Sequence, residues 1–310
     1  MRFDLDEKLA GILPEDSIIK NEDMSRHTTF RTGGPADYFI KISSDEELVS
    51  ILNLLKEMKM KPKEDYYVLG NGSNLLVSDA GFRGVVLSLC GDFSKCSMTG
   101  DNHIKAGAAA LNVAVANLAR DNELTGFEFA HGIPGSIGGA LVMNAGAYGG
   151  EMKQVVRSVY AFDENASLRK LDLDELEFGY RTSIFKKKNY VITGCDIELK
   201  KGKKNEIESL MNELKEKRIS KQPLEYPSAG STFKRPEGYF AGKLIEDAGL
   251  RGYSVGGAQV SEKHCGFVIN KGNATSEDVY RLISDIQEKV FKSSGVKLSP
   301  EVILLGDFEK

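Results

Sequence analysis

Two segments of the sequence carry side chains that could act on an anionic substrate. Arg181 lies among aromatic and apolar residues in the segment Gly179–Phe185, and a guanidinium can hold a carboxylate through two parallel hydrogen bonds. Ser231 lies in the segment Pro227–Pro236, where small residues let the main chain approach a ligand and Lys and Arg side chains add positive charge. Taken singly, Arg181 is also typical of a structural ion pair, and the Ser231 segment is also typical of a capped turn.

A third candidate reacting group is Glu301, which stands at the start of the apolar stretch Glu301–Leu305. A solvated acid at the end of a strand would have the same pattern. Spacing along the chain does not show whether Arg181, Ser231 and Glu301 meet.

Three glycine clusters could bind phosphate groups. They are Arg31–Pro35, Gly70–Asn74 and the long segment His131–Gly150. Glycine lets the main chain approach a ligand closely, and successive N–H groups in such loops form nests that hold phosphate oxygens. Turns at strand ends are the alternative explanation. Neither GxxxxGK[ST] nor GxGxxG occurs, so a Rossmann dinucleotide fold is disfavoured.

The segment Gly252–Gly256 matches the GxSxG pattern of a hydrolase nucleophile elbow. That elbow requires a strand before the serine and a helix after it. Here the preceding residues, up to Gly249, have a helical pattern, and the stretch that follows is strand-like. The one downstream histidine, His264, lies only ten positions after Ser254. A hydrolase is therefore disfavoured.

Composition excludes several other classes of protein. The chain has 310 residues, 41% of them apolar, and a net charge of −4, so the basic footprint of a nucleic-acid-binding protein is missing. No apolar run approaches the ~20 residues of a membrane span, and the acidic start differs from a signal peptide, so we expect a cytoplasmic protein. No CxxC pair occurs and the histidines are scattered, which predicts no zinc site and buried free thiols at Cys90, Cys96, Cys195 and Cys265.

The elements that must position these residues form an irregular series of helices and strands, without steady βαβ alternation, which predicts an α+β fold. The best internal boundary is the proline-bearing segment Ser220–Pro227. Apolar periodicity and capping residues predict helices over Asp45–Met60, Leu111–Asn122, a long helix with Asn205 as N-cap, Ala241–Ala248 and Ser276–Lys292. Strands are predicted over Tyr66–Leu69, Val85–Leu89, Val155–Phe162, Tyr190–Leu199, Gly266–Ile269 and Glu301–Leu305.

Taken together, the motifs resemble those of the UDP-N-acetylenolpyruvoylglucosamine reductases. The matching segments run in the family's order from about Thr28 to Glu301, and their combination is highly specific although each piece alone is not. The segments are Thr28–Ala36, Gly70–Val77, Gly132–Gly139, Met143–Gly149, Tyr180–Phe185, Ala229–Lys234, Ala241–Ile245, Gly256–Ser261 and Pro300–Val302.

This resemblance implies an FAD-binding region of two α+β subdomains, similar to the vanillyl-alcohol oxidase type, followed by a C-terminal substrate domain. We expect subdomain boundaries at residues 1–64 and 65–204 and a substrate domain at 205–310. Phe185 is followed almost directly by the strand-like Tyr190, which leaves little room for the inserted tyrosine loop of the type I enzymes. The chain therefore looks like type II, and Tyr190 is not expected to match that loop tyrosine.

The resemblance also implies a reaction and its residues. NADPH supplies a hydride, which passes through flavin N5 to the enolpyruvyl group of a UDP-sugar nucleotide in peptidoglycan synthesis. Ser231 would then donate the proton, with Arg181 and Glu301 as electrostatic companions; Glu301 would either orient an arginine or relay a proton. Contacts to FAD are expected from Arg31, Gly70, Asn71, Gly72, Ser73, Asn74, Leu75, Gly132, Ile133, Pro134, Gly135, Ser136, Gly139 and Asn144. Contacts to the uridine diphosphate sugar are expected from Lys234, Lys243 and Gln259, and no metal is expected.

Two other functions stay open at this point. An FAD-dependent oxidase of the same wider fold would pass electrons to oxygen, and the Ser231 motif argues against it. A non-catalytic sugar-nucleotide-binding protein should have lost at least one of Arg181, Ser231 and Glu301, and all three are present.

Overall fold

The computed structural model describes residues 2–308 and divides them into two compact units. The first comprises residues 2–20, 38–71 and 84–216, and the second residues 21–37, 72–83 and 217–308. The α-helices are α1 (Arg2–Ala10), α2 (Asp45–Glu57), α3 (Asn112–Asp121), α4 (Ile137–Met143), α5 (Ile184–Lys187), α6 (Lys204–Lys221), α7 (Ala241–Asp247) and α8 (Ser276–Ser294). The strands are β1 (Ile18–Asp23), β2 (Pro35–Ile42), β3 (Tyr66–Leu69), β4 (Leu75–Val77), β5 (Phe82–Leu89), β6 (Cys96–Met98), β7 (His103–Gly107), β8 (Leu124–Thr125), β9 (Gly146–Ala147), β10 (Gly150–Glu151), β11 (Val156–Phe162), β12 (Leu168–Asp172), β13 (Val191–Glu198), β14 (Lys200–Lys201), β15 (Ser254–Val255), β16 (Ala258–Val260), β17 (Val268–Asn270) and β18 (Ile303–Leu305).

The first unit contains a five-stranded antiparallel sheet in the order β12-β11-β13-β7-β6. Helices α3 and α4 pack against this sheet and share its apolar core. A second apolar cluster joins α1 and α2 to β2, β3 and β5, and β3 pairs with β5 in parallel. The carboxyl end of β3 therefore leads directly into the glycine segment that begins at Gly70.

Helix α2 shows how the sequence specifies these elements. Ser44 caps its first turn by accepting the N–H of Glu47, and the Glu47 carboxylate in turn accepts the N–H of Ser43 at 2.7 Å. This reciprocal capping satisfies N–H groups that have no partner within the helix. Leu48, Ile51 and Leu55, at three- and four-residue steps, are all buried.

The second unit is built on the antiparallel sheet β15-β16-β17, against which α8 packs, with α7 beside α8. A separate parallel pair joins β18 to β4. Helix α8 is capped twice, because Thr275 and Asp278 form a capping box and the Asp79 carboxylate accepts the N–H groups of Ser276 and Glu277 at 2.9 Å. The carboxylate also favours this end of the helix electrostatically.

The α+β prediction is confirmed. Each predicted helix and strand has a counterpart, with the same ends for Tyr66–Leu69 and with at least one shifted end for the others. Two shifts are instructive. Helix α6 begins one residue before the predicted cap and continues to Lys221, inside the predicted break. The strand expected from Gly266 begins only at Val268, because Phe267 still donates its N–H to His264 in a tight turn.

The sequence pattern did not predict that part of the third glycine cluster is helical. Helix α4 begins at Ile137, so Gly138 and Gly139 lie in its first turn. Glycine disfavours helix interiors, and the tertiary contacts described below override that propensity.

The cysteine interpretation needs correction as well. Cys195 and Cys265 are buried free thiols, and burial raises the pKa of Cys195, but Cys90 and Cys96 are only half-buried. Within residues 2–308, no helix combines the length and apolar character needed to cross a bilayer.

Candidate active site

Two predicted cofactor segments meet in the first unit, where Gly70 lies beside Ser136 and Gly139. Gly70 follows β3, and a Cβ placed on it would lie 3.0 Å from Ser136 Oγ and 3.9 Å from the main chain of Gly139. A contact of 3.0 Å is tighter than most Cβ contacts in proteins, and Gly70 is exposed, so the missing side chain leaves room at this surface. The result is a shallow cradle formed by Gly70, Ser136 and Gly139.

Asn112, the first residue of α3, holds the segment before Ser136 in place through hydrogen bonds. The N–H of Asn112 donates to Gly135 O at 3.1 Å, and its side-chain amide donates to Ile133 O at 3.3 Å. Gly138 donates its N–H to Ala108 O at 2.8 Å, and a Cβ on Gly138 would stand only 3.1 Å from that oxygen. A side chain at Gly138 would therefore require its neighbours to shift.

Ser136 provides the sign that this cradle receives a ligand. Its side chain is 4% exposed, and its hydroxyl has no hydrogen-bond partner among the residues that the structure describes. Burying a hydroxyl without a partner costs about 1–3 kcal/mol. An open cradle lined by glycine and one buried hydroxyl without a partner fits the phosphate or ribityl part of a flavin nucleotide.

Beyond Asn71, the second predicted cofactor segment continues in the second unit. Gly72 has φ of 60°, and a Cβ there would lie 1.9 Å from His27 O, so only glycine is possible. Its carbonyl accepts the N–H of Thr29 at 3.2 Å. These contacts bring the segment beside the first glycine cluster, where Arg31 is exposed in a left-handed conformation with φ of 57°.

Asn74 and Leu75 connect this segment to Glu301. The Asn74 side-chain amide donates to Glu301 O at 3.1 Å, and Asn74 O accepts the N–H of Ile303 at 3.0 Å. Leu75 then pairs with Ile303 in the parallel β4–β18 ladder. The main chain of Glu301 is thus fixed by residues that the sequence places more than two hundred positions away.

The Ser231 segment is anchored by the residue that follows the serine. Thr232 is fully buried, its N–H donates to Gly266 O at 2.9 Å, and its hydroxyl accepts the N–H of Val268 at 2.9 Å. Its carbonyl accepts the N–H of Glu301 at 2.8 Å. Ser231 itself is exposed, so its side chain reaches solvent from a peptide whose other end is immobilised.

Ser231 and Glu301, two of the predicted reacting residues, are therefore adjacent through the Thr232 carbonyl. The same pairing continues along the segment, because Phe233 bridges Pro300 and Lys234 donates its N–H to Ser299 O at 2.9 Å. The second unit thus assembles a hydroxyl, a carboxylate and a lysine on two paired segments.

Arg181, the third predicted reacting residue, lies in a tight turn of the first unit. Gly179 and Thr182 exchange main-chain hydrogen bonds at 3.1 and 3.3 Å, and Arg181 between them has φ of 54°. Its guanidinium lies over the ring of Tyr180, with 5.4 Å from Cζ to the ring centroid, and Nη2 is 3.4 Å from Gly146 O.

Asn144, one of the predicted cofactor contacts, uses its side-chain amide and its side-chain oxygen in hydrogen bonds within the protein. It ends α4 with φ of 42° and is only 2% exposed. Its side-chain amide donates to Gly179 O at 3.1 Å and to the Glu151 carboxylate at 3.0 Å, and its carbonyl oxygen accepts the N–H of Lys153 at 2.9 Å. Its polar atoms are thus used by the protein, and they support the turn that carries Arg181.

The remaining predicted substrate residues are Lys243 and Gln259. Lys243 is exposed on α7, and its hydrogen bond to Asp247, 2.6 Å long, raises the pKa of the ammonium group. The Gln259 side-chain amide donates to Gly252 O at 3.2 Å and to Ser254 Oγ at 3.1 Å, whereas its oxygen is buried without a hydrogen-bond partner in the described residues.

The GxSxG segment is not a nucleophile elbow. Ser254 lies in β15, one arm of a hairpin with β16, and no helix follows it directly. The predicted exclusion of a hydrolase elbow is confirmed. Sequence reasoning missed Thr232, whose importance comes from partners distant in sequence; a small β-branched residue beside a candidate serine was the only available signal.

Comparisons with known proteins give matches over most of the chain. An FAD-binding-domain family model matches residues 36–172, and the model of the C-terminal domain of UDP-N-acetylenolpyruvoylglucosamine reductase matches residues 222–305. The chain is 52% identical to the UDP-N-acetylenolpyruvoylglucosamine reductase of Agathobacter rectalis, with 96% of each chain covered, and 48% identical to that of Clostridioides difficile, with 96% of this chain and 97% of the relative covered. The crystal structure of the Thermus caldophilus enzyme, MurB, is similar with a TM-score of 0.80 and 34% identity, covering 93% of this chain and 98% of that one.

The Ser136 hydroxyl should matter for cofactor binding more than for stability. We expect Ser136→Ala to weaken FAD binding by about tenfold or more, because a buried donor to a charged or polar ligand is lost. The free energy of unfolding of the apoprotein should stay the same or rise. Fluorescence titration with FAD and urea unfolding measure the two quantities.

Ser183→Ala is the matched control, because Ser183 is also fully buried but its hydroxyl donates to Val142 O at 2.8 Å. It should lower the unfolding free energy by about 1 kcal/mol and leave FAD affinity within a few-fold. If Ser136→Ala instead destabilised the apoprotein and bound FAD normally, the cradle would be wrongly assigned.

Asn144 should act on the Arg181 turn and not on the cofactor. Asn144→Gly keeps the left-handed conformation available while removing three hydrogen bonds, so we expect a lower turnover number and a loss of about 1–3 kcal/mol in unfolding free energy. FAD affinity should be nearly unchanged. A variant with normal turnover and a large loss of FAD affinity would restore the original expectation of a cofactor contact.

Proposed function

This chain belongs to the UDP-N-acetylenolpyruvoylglucosamine reductase family, and we propose that Ser231, Arg181 and Glu301 carry out its proton transfer and charge stabilisation. The enzyme is an NADPH-dependent oxidoreductase of peptidoglycan synthesis and a flavoprotein. Its substrate is a UDP-sugar nucleotide bearing an enolpyruvyl group. The observation that carries the proposal is the shared anchoring of Ser231 and Glu301 through Thr232.

FAD would be held by the cradle of Gly70, Ser136 and Gly139, with Arg31 and the segment from Asn71 to Leu75 as further contacts. When bound, the flavin supplies the hydride chemistry that links NADPH to the substrate. The protein itself positions the reactants, stabilises the charge that develops on the substrate and donates a proton.

Arg181 binds the substrate carboxylate. Reduction of the vinyl group at the carbon farther from the carboxylate makes the adjacent carbon and the carboxylate electron-rich. A guanidinium suits that charge because it stays protonated at every physiological pH. Stabilisation of charge as it develops is usually the largest catalytic contribution, which explains why the Arg181 turn is supported from the buried Asn144.

Ser231 donates a proton to the electron-rich carbon next to the carboxylate. A serine hydroxyl is a weak acid, so it serves only where the acceptor is strongly basic and the distance is fixed. The enolate-like substrate provides the basicity, and the anchored Thr232 peptide provides the fixed position. Glu301, held against the same peptide, relays a proton back to Ser231.

Lys234, whose main chain is paired to the segment before Glu301, and the exposed Lys243 contribute positive charge toward the diphosphate of the nucleotide. The Gln259 oxygen, buried without a described hydrogen-bond partner, accepts a hydrogen bond from the same ligand. These three assignments come from the family resemblance, and the exposure of Lys243 and the buried Gln259 oxygen support them.

The decisive test separates the two half-reactions. Ser231→Ala should leave the rate of flavin reduction by NADPH within a few-fold of the parent, because that step places no proton on the substrate. Oxidation of the reduced enzyme by the enolpyruvyl substrate should slow by about 10² or more, the scale of a lost general acid. Stopped-flow absorbance at the flavin band measures both rates.

Ser228→Ala is the control, because Ser228 lies in the same segment and bridges Ile269 through its main chain. It should change neither rate appreciably. Ser231→Cys should retain more activity than Ser231→Ala, since a thiol can donate a proton. Equal slowing of both half-reactions by Ser231→Ala, or no slowing, would contradict the assignment.

A further inference from the structure

The imidazole of His264 occupies a narrow space beside the Ser231 segment. Its Nδ1 accepts the N–H of Gly266 at 3.0 Å, and its ring meets the edge of Phe267 at a centroid distance of 5.1 Å. A Cβ on Gly266 would lie 2.9 Å from the ring, and one on Gly242 would lie 3.3 Å from it. The half-buried ring therefore fills the gap between two glycines that carry no side chain.

From this ring, a continuous series of hydrogen bonds leads to the reacting residues. The N–H of Gly266 is held by His264, and the carbonyl of Gly266 accepts the N–H of Thr232 at 2.9 Å. Thr232 follows Ser231 directly and accepts the N–H of Glu301 at 2.8 Å. Movement of the Gly266 peptide would therefore be transmitted to the peptide that fixes Ser231.

We propose that neutral His264 is a positioning residue that fixes the Gly266 peptide and, through Thr232, the Ser231 hydroxyl. The inference rests on the proposed role of Ser231 as proton donor. His264 touches none of the reacting groups assigned above. Its role is to keep the Thr232 peptide in one orientation during proton transfer.

Only one protonation state of His264 can make this contact. Nδ1 accepts a hydrogen bond when it carries a lone pair, so the proton of the neutral ring lies on Nε2, and the imidazolium ion cannot accept at all. Burial lowers the pKa of His264, and the nearby positive charges of Arg251 and Lys221 lower it further. The ring is therefore neutral near pH 7, and the contact is lost as the pH falls through the lowered pKa.

The charged groups around the ring come from three elements. Lys221 ends α6, and on α7 Lys243 is paired with Asp247. Arg251, just after α7, pairs with Glu246 and also donates to the Glu262 carbonyl. On the turn of His264 itself, the ammonium group of Lys263 lies 3.7 Å from the Glu225 carboxylate. In each named ion pair, a carboxylate balances a cation.

The contact between His264 and the N–H of Gly266 can be tested by a substitution whose side chain still accepts a hydrogen bond but does not titrate. An asparagine at this position can accept the N–H two residues later through its side-chain oxygen, as in an Asx turn, whereas alanine cannot. We expect His264→Ala to slow oxidation of the reduced enzyme by substrate about tenfold or more, with flavin reduction by NADPH nearly unchanged. His264→Asn should stay within a few-fold of the parent.

The dependence of the substrate-dependent rate on pH gives a second test, because a purely structural role of His264 would not change it. In the parent, the substrate-dependent rate should fall as the pH drops through the lowered pKa of His264, which lies below the ordinary histidine value of about 6.5, and His264→Asn should remove that fall. The protection of the Thr232 amide against hydrogen exchange, measured relative to the intrinsic exchange rate at each pH, should fall at low pH in the parent and not in His264→Asn. This exchange measurement does not depend on the chemistry assigned to Ser231.

The outcomes distinguish the two proposals. Should Ser231→Ala leave the substrate-dependent rate intact while Thr232 exchange still follows His264, the role of Ser231 fails and the contact stands. His264→Ala added to Ser231→Ala should slow the reaction no further. Additive losses, equal slowing of both half-reactions, or a His264→Asn enzyme as slow as the alanine variant and still sensitive to low pH would overturn the inference. If the alanine variant does not fold, the asparagine variant and the exchange profile decide.

Discussion

The account of catalysis depends on the anchoring of one peptide, the one that joins Ser231 to Thr232. A serine hydroxyl is poorly matched in acidity to its task, so the protein must compensate with a fixed position and not with a shifted pKa. Thr232 supplies that position by engaging its N–H, hydroxyl and carbonyl with Gly266, Val268 and Glu301. Because these partners come from two other segments of the chain, the serine is oriented only when the second unit is folded.

A second constraint concerns the cofactor cradle, whose features make the apoprotein less stable than a fully packed and hydrogen-bonded surface would. Gly70 and Gly139 keep a surface open, and the Ser136 hydroxyl is buried without a partner in the described residues. Each feature disfavours the apoprotein slightly and becomes favourable when a ligand accepts the hydroxyl. The Arg181 turn is different, because the Asn144 side-chain amide donates to Gly179 O in that turn before any ligand binds. The turn that carries Arg181 is thus held by hydrogen bonds within the protein, whereas the Ser136 hydroxyl of the cradle needs a ligand as its partner.

The sequence was informative where local chemistry determines structure. Helices α2 and α8 were predicted because their apolar residues recur at helical spacing. Arg181, Ser231 and Glu301 stood out because their charged or hydroxyl groups lie beside aromatic, small and apolar residues, and because the segments that carry them resemble those of a known family. Helix α4 was missed because Gly138 and Gly139 carry no helical signal; contacts with Ala108 decide its conformation. The sequence did not reveal that buried Asn144 supports the Arg181 turn or that Thr232 anchors the Ser231 segment. Gly179, which accepts from Asn144, and the partners of Thr232 are distant in sequence.

The most direct measurement of the central claim is the configuration of the carbon that receives the proton. Turnover in D₂O by the parent enzyme should give one epimer, carrying a single deuterium at the carbon next to the carboxylate. The slow residual turnover of Ser231→Ala should give a mixture of epimers, because water then protonates either face. A single epimer from Ser231→Ala, identical to the parent product, would show that another group delivers the proton and would contradict the account.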